Sequence, residues 1–302
     1  MPRYENPPIP EEINVSKTSA FGEFVKLSII LIVFCVALVV IIFVGMRYLV
    51  PHIPFHYEVS LAENWSKKLD GDAPSPSREY LQKLAENLAA HMALPADMPI
   101  TVHISASSTP NAFATFGGHI IVTQGLLDLV DSENALAMVL SHEIGHIKHR
   151  DPIVAAGSGV AVSIVLAILF GNSDIAAISN TSGLLTQLNF SRAQESAADQ
   201  EALKALTQYY GHTNGAETFF KKMLETHKDD QAPPEFISTH PNTPERLACI
   251  ETGSAHDSHA PLTPLPDFVK HPPASSKAPY PTSGRGIRTP LARLRERGGR
   301  RG

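Results

Sequence analysis

From Leu27 to Met46 the chain reads LSIILIVFCVALVVIIFVGM, 20 residues without a charge. At about 1.5 Å of rise per residue, such a helix matches the roughly 30 Å hydrocarbon core of a bilayer. A core helix of a soluble domain would show a polar face, and this run shows none. A cleaved signal peptide has a shorter apolar region, about 7–15 residues, followed by small residues at a cleavage site. Here the run leads instead into Arg47, Tyr48 and Leu49. The reading is an uncleaved anchor, a single span over 27–46 in contact with the lipid bilayer, behind a short polar segment over 1–26. Lys17 and Lys26 precede the span and Arg47 follows it. The positive-inside bias thus favours a cytoplasmic N-terminus and places the rest of the chain outside the cytoplasm.

The remaining length is enough for one large domain with appendages. Two cysteines, Cys35 and Cys249, cannot build a disulfide framework or a cysteine-ligated zinc finger. The formal net charge of -5 hides an asymmetry. Arg285 to Arg301 holds 7 Arg and the single acid Glu296; removing these from totals of 25 and 30 leaves 18 Lys and Arg against 29 Asp and Glu. A body that acidic argues against nucleic acid as a partner, because such binding rests on neutralising phosphates. Against this ordinary background the 14 histidines stand out.

Residues 47–76 read as a tether with a short helix near Leu61 to Leu69. Leu81, Leu84, Ala85, Leu88 and Ala89 repeat at helical spacing and predict an amphipathic helix over Ser77 to Met92. Ile100, Val102 and Ile104 alternate with polar residues and predict a strand. The stretch NAFATFGG, Asn111 to Gly118, reads as turn-rich and leads into a second strand, His119 to Val122. A helix begins near Gln124, and Ser132 can cap the next one. Further helices are expected over Leu184 to Tyr209 and Ala216 to His227. Beyond Gly253 the chain is rich in Pro, Ser and His, then in Arg and Gly, and 254–302 is expected to be a disordered tail.

The helix after Ser132 contains His142-Glu143-Ile144-Gly145-His146. Residues four apart share a helix face, so both imidazoles can converge on one ion. Glu143 follows the first ligand, where its carboxylate can take a proton from a water that zinc has acidified to a pKa of about 7. Two histidines leave a catalytic zinc one protein ligand short. Glu195 and Asp199, four apart in RAQESAADQ, lie on a predicted helix. Glu195 can supply the third ligand, and Asp199 can accept the far N–H of a ligand histidine and fix its tautomer. His149 shares the histidine face but lies about 10.5 Å along the axis from His142, too far for three ligands to close on one ion. His91, His103, His212 and His227 have no evident partner.

HEIGH followed by KHRD, then Glu195-x-x-x-Asp199, then Ser238-Thr239-His240-Pro241 with Arg246, resembles the HtpX/Oma-type zinc endopeptidases. These form family forty-eight of the metallopeptidases, which also holds the prenyl-CAAX proteases. Asn111-Ala112-Phe113 and Gly117 to Val122 are similar to that family's edge-strand segment, and the resemblance covers about residues 77 to 251. It implies an α+β fold, a mainly helical zincin-like domain with a small sheet, expected over 77–253. It implies one Zn2+ per chain on His142, His146 and Glu195, with Glu143 as general base. It further implies that His240 and Arg246, with Asn111, His119 and Ile120, line the cleft. A single span departs from the multi-span members, so processing of lipidated substrates is not expected.

Ile153 to Phe170 is a second uncharged run, 18 residues long. Were it to span, His142 and Glu195 would end on opposite sides of the bilayer, and the return through Gly171 to Phe190 is too polar for lipid. A core helix, or a hairpin arm at the bilayer surface, is the expectation.

These readings converge on a membrane-anchored zinc endopeptidase of protein quality control, acting on unfolded or misassembled chains from the periplasmic side of the inner membrane. An extended substrate would add as a strand beside His119 to Val122. The alternatives are an assembly factor with a silent or regulated zinc, and an interaction module in which the motif is accidental; an intact Glu143 argues against both. His240, before Pro241 and therefore extended or in a turn, has two open roles. It could donate to the oxyanion of the tetrahedral intermediate, the favoured expectation, or occupy the fourth position on zinc and hold the enzyme off.

Overall fold

The computed structural model describes residues 19–69, 75–157, 190–226, 236, 239–240, 244–255 and 259–271. The Ser238 and Pro241 positions, most of the second apolar run and residues 272–302 lie outside them. The chain divides into two compact units: Met1–Pro54 with His149–Leu188, and Phe55–Lys148 with Asn189–Gly302.

In the first unit, α1 runs over Ala20–Leu49, longer at both ends than the uncharged run. It is apolar all round, with Ile29, Phe34 and Ile41 more than half exposed. That exposure is compatible with a helix anchored in a membrane, and among the described residues α1 is the one helix long and apolar enough to cross one. Ser19 caps its start and a 3₁₀ turn, Val50–His52, closes its end.

The second unit begins with α2 (His56–Leu69) and α3 (Pro76–Ala90). Ser75 caps α3 through Arg78 N–H, and Pro76 occupies the first turn, where a missing N–H costs nothing. Three strands follow: β1 (Thr101–Ser105), β2 (Ala112–Thr115) and β3 (His119–Thr123). Their order is β1-β3-β2, with β1 parallel and β2 antiparallel to β3. The stretch that reads as a turn therefore holds a strand. The turn is confined to residues 116–118, with Gly117 and Gly118 at positive φ, and a Cβ on Gly118 would meet Pro99 O at 1.8 Å.

Two helices follow the sheet, α4 (Gln124–Leu129) and α5 (Glu133–His149). Ser132 caps α5 as expected, its Oγ accepting from Ala135 N–H. From Asn134 to Ile147 every residue of α5 is buried. Leu136, Leu140 and Ile144 pack with Leu81, Leu88, Val102, Ile120, Leu126, Phe219 and Phe236 in one core, each such side chain contributing about 1.5–3 kcal/mol by burial.

The last helices are α6 (Arg192–Tyr210), α7 (Thr218–Thr226), α8 (Pro244–Ala255) and α9 (Asp267–Lys270). A capping box of Ser191 and Gln194 starts α6, and Gly211 at φ +78° ends it. The expectation of a disordered tail from 254 fails over 259–271. Thr263 O accepts from Glu133 N–H, Asn134 Oδ1 accepts from Thr263 N–H, and Phe268 O accepts from Ser77 Oγ. Val269 is fully buried. A Pro-rich composition hides a segment that packs on the start of α5 and satisfies its first backbone donor, Glu133 N–H.

Candidate active site

The central helix α5 carries His142 and His146 on one face, as the spacing requires. What brings α6 to them is small side chains. Gly145 lies so close to α6 that a Cβ there would come 3.1 Å from Ala198 Cα, and Ala198 is itself fully buried. The close crossing carries Glu195, in the first turn of α6, into the same pocket. A helix N-terminus favours a carboxylate there.

His142 Nε2 and His146 Nε2 stand 3.1 Å apart. Glu195 places Oε2 3.4 Å from the first and Oε1 3.5 Å from the second. A third imidazole joins them: His240 Nδ1 lies 3.1 Å from Glu195 Oε1 and 3.4 Å from His142 Nε2. One donor atom from each of these four buried residues lies within 4.8 Å of the others. His240 closes a helical turn, its N–H donating to Phe236 O. Two aromatic rings hold the imidazoles from behind: Phe190 stacks on His146 and Phe236 on His240. His149 is exposed.

The charge around the cluster is built for a cation. Asp199 Oδ1 stands 2.9 Å from His142 Nδ1, on the side away from the donors. Arg246 grips both acids, through Nε to Asp199 Oδ2 at 2.7 Å, Nη2 to Asp199 Oδ1 at 2.9 Å and Nη1 to Glu195 Oε2 at 2.6 Å. Burial alone would lower the His142 pKa, but hydrogen bonds from Asp199 and Glu195 push it up to about 10. Burial likewise opposes ionisation of Glu195 and Asp199, and their hydrogen bonds outweigh it. Those of His142, His146 and His240 hold Glu195 low, and those of Arg246 and His142 hold Asp199 low. Crowded imidazole nitrogens beside ionised carboxylates are unstable without a positive charge among them. Three nitrogen donors and one carboxylate suit zinc, so the residues present fit that ion.

Glu143 lies beside this set. Its Oε2 accepts from Ala114 N–H at 2.7 Å, while its buried Oε1 has no hydrogen-bond partner and lies 3.6 Å from His240 Nε2. Burial pushes its pKa up, against the pull of His240 and His142.

The geometry corrects three expectations. Arg246 is buried at 5% exposure and bound to the two acids, so it braces the ligand and its partner rather than facing a cleft. His119 and Ile120 belong to β3, the central strand, whose backbone is paired on both sides, so no peptide can add there. The outer edge of β1 is satisfied by α3: Arg78 Nε donates to Val102 O, and Val102 N–H donates to Gln82 Oε1. That leaves the outer edge of β2. Thr123 N–H donates to Asn111 O, which turns Asn111 towards β3 and the backbone of Ala112 and Ala114 outward, towards Glu143. Asn111 is buried at the start of this strand. The sequence reading missed Ala114, Phe190 and Phe236; the only signal for Ala114 was its place in the NAFA stretch.

The chain is similar to the beta-barrel assembly-enhancing protease of Escherichia coli (strain K12), 28% identical over 63% of this chain and 42% of that protein. It is also similar to the mitochondrial metalloendopeptidase OMA1 of Schizosaccharomyces pombe, 29% identical over 58% of this chain and 52% of the relative. A third relative is the protease HtpX homolog of Acidiphilium cryptum, 37% identical over 39% of this chain and 47% of the relative. The chain thus spans roughly half of the length of each. The family profile described as Peptidase family M48 matches residues 75–253, which takes in α3, the sheet, the whole donor set and Arg246. By that match, and by a site in which both zinc-type histidines and a distant glutamate meet, this chain belongs to Peptidase family M48, a family of metallopeptidases.

Proposed function

We propose that this chain is a zinc-dependent endopeptidase, anchored in a bilayer through α1, that cuts extended segments of unfolded or misassembled proteins on the periplasmic side of the inner membrane. One observation carries the reading: Glu143 lies between the convergent donors and the outer edge of β2, tied to that edge by Ala114 N–H. His142, His146 and Glu195 would hold zinc, which supplies Lewis-acid polarisation of the scissile carbonyl and an acidified water when bound. An extended chain adds along β2, and its backbone bonds give affinity with little side-chain selectivity, which suits varied clients. With Oε2 held by Ala114, Glu143 presents Oε1 as the base. It takes one proton from the attacking water and delivers it to the amine as the C–N bond breaks. Asp199 orients His142, and Arg246 keeps both acids ionised.

The place of His240 supports a conditionally silent state over the oxyanion role. Its Nδ1 belongs to the donor set, so it competes for the position a substrate carbonyl needs. The test uses zinc-loaded full-length protein with casein, with and without chelator. Glu143→Gln should keep its zinc and lose about 10²–10⁴-fold in turnover. Cleavage by that variant at the wild-type rate would overturn the mechanism. His240→Ala should raise basal cleavage; a drop of about 100-fold would restore the oxyanion role. A protein that binds casein, holds zinc and cuts neither as wild type nor as His240→Ala would be an assembly factor instead.

A further inference from the structure

Arg150 follows the last residue of α5 and adopts φ +60°, one of two non-glycine residues at positive φ among those described. A left-handed residue just past a helix is usually Gly or Asn, which bear little steric cost there. A long side chain in that conformation persists only where its surroundings over-determine it. Here the surroundings are the end of the anchor. The buried guanidinium donates through Nη1 to Val50 O at 2.7 Å, and also to Ile53 O. Val50 belongs to the turn that closes α1, and Ile53 follows that turn directly. The left-handed step also redirects the chain, so that residues 151–157 form a new helical stretch with Val154 N–H on Arg150 O. Gly157 of that stretch lies against Met46 of α1. All of these contacts fall within one compact unit.

We propose that Arg150 is a positioning residue that clasps the end of the anchor to the end of the histidine helix. The clasp fixes the chain reversal at 149–157 against the end of the anchor, within one compact unit. The casein readout below rests on the peptidase reading above; the clasp does not.

Two measurements on the full chain in phosphatidylethanolamine–phosphatidylglycerol vesicles test it. Spin labels at Leu49→Cys and His149→Cys, in a chain carrying Cys35→Ala and Cys249→Ser, should give one narrow distance distribution. Arg150→Gly allows the same backbone conformation but removes the guanidinium; it should broaden the distribution, and Arg150→Lys should restore it in part. A distribution equally narrow in Arg150→Gly overturns the clasp whether or not the protein is a peptidase. The second readout is the zinc content and casein kcat/KM of the same variants, both of which Arg150→Gly should keep. A loss of zinc and casein turnover together would reduce Arg150 to a residue of general stability and overturn its positioning role.

Discussion

Two pairs of histidines touch inside the second unit. His142 and His146 meet at 3.1 Å on α5, and His103 and His119 meet at 2.9 Å across β1 and β3. By contact distance alone the sheet pair is the tighter. Yet only the helix pair belongs to a group of convergent donors among the described residues, with Glu195 and His240 completing it. The difference lies in what surrounds each pair. On α5, Asp199 fixes the far nitrogen of one imidazole, and Arg246 holds the acids ionised. On the sheet the imidazoles meet through one nitrogen each, and each strand is held by its ladder. Two imidazoles in contact are thus a hydrogen-bonded pair by default, and become a site when carboxylates arrive from a separate element.

The comparison can be broken at each of its parts. The largest effect is expected for Glu195→Gln, which removes a ligand. Its zinc affinity should fall beyond the roughly 100-fold that bounds the loss of an outer hydrogen-bond partner, and a full zinc complement by elemental analysis would strike Glu195 from the donor set. Asp199→Asn should cost about 10–100-fold in affinity or activity, because His142 loses its orienting acceptor and Arg246 half of its bond. Gly145→Ala should cost less, since its Cβ meets Ala198 Cα at 3.1 Å and asks the helices to part by only tenths of an ångström. A zinc titration of the folded variant reads that shift. The smallest effect belongs to the sheet: His119→Gln should retain the wild-type zinc stoichiometry and casein turnover. Loss of zinc there would erase the contrast between the two pairs.

Much of the donor set was legible in the chain, because helical periodicity is local. His142 with His146 and Glu195 with Asp199 each lie four apart, and the structure puts both pairs on helices. The long apolar helix was legible for a similar reason: 20 consecutive uncharged residues leave it no polar face, whatever else the chain does, and make it compatible with a membrane anchor. Strand alternation found β1 and β3 but not which strand would be central. Residues Asn111 to Gly118 were dominated by small and turn-forming types, so β2 was hidden, and with it the fact that β3 is paired on both sides.

What the sequence determined by itself, then, was which residues could converge on one ion, the face of each helix they share and the presence of an apolar stretch long enough to cross a membrane. Each of these rests on neighbours within a turn or two of the chain. Tertiary structure alone decided that His240 enters the donor set across 98 residues and that Arg246 braces Asp199 across 47. It also decided that Ala114 holds Glu143 across 29, and that the segment 259–271 closes over the start of α5. None of these contacts has a period to read. Each is set by which buried groups must find partners once the core has formed, and that is a property of the packed whole.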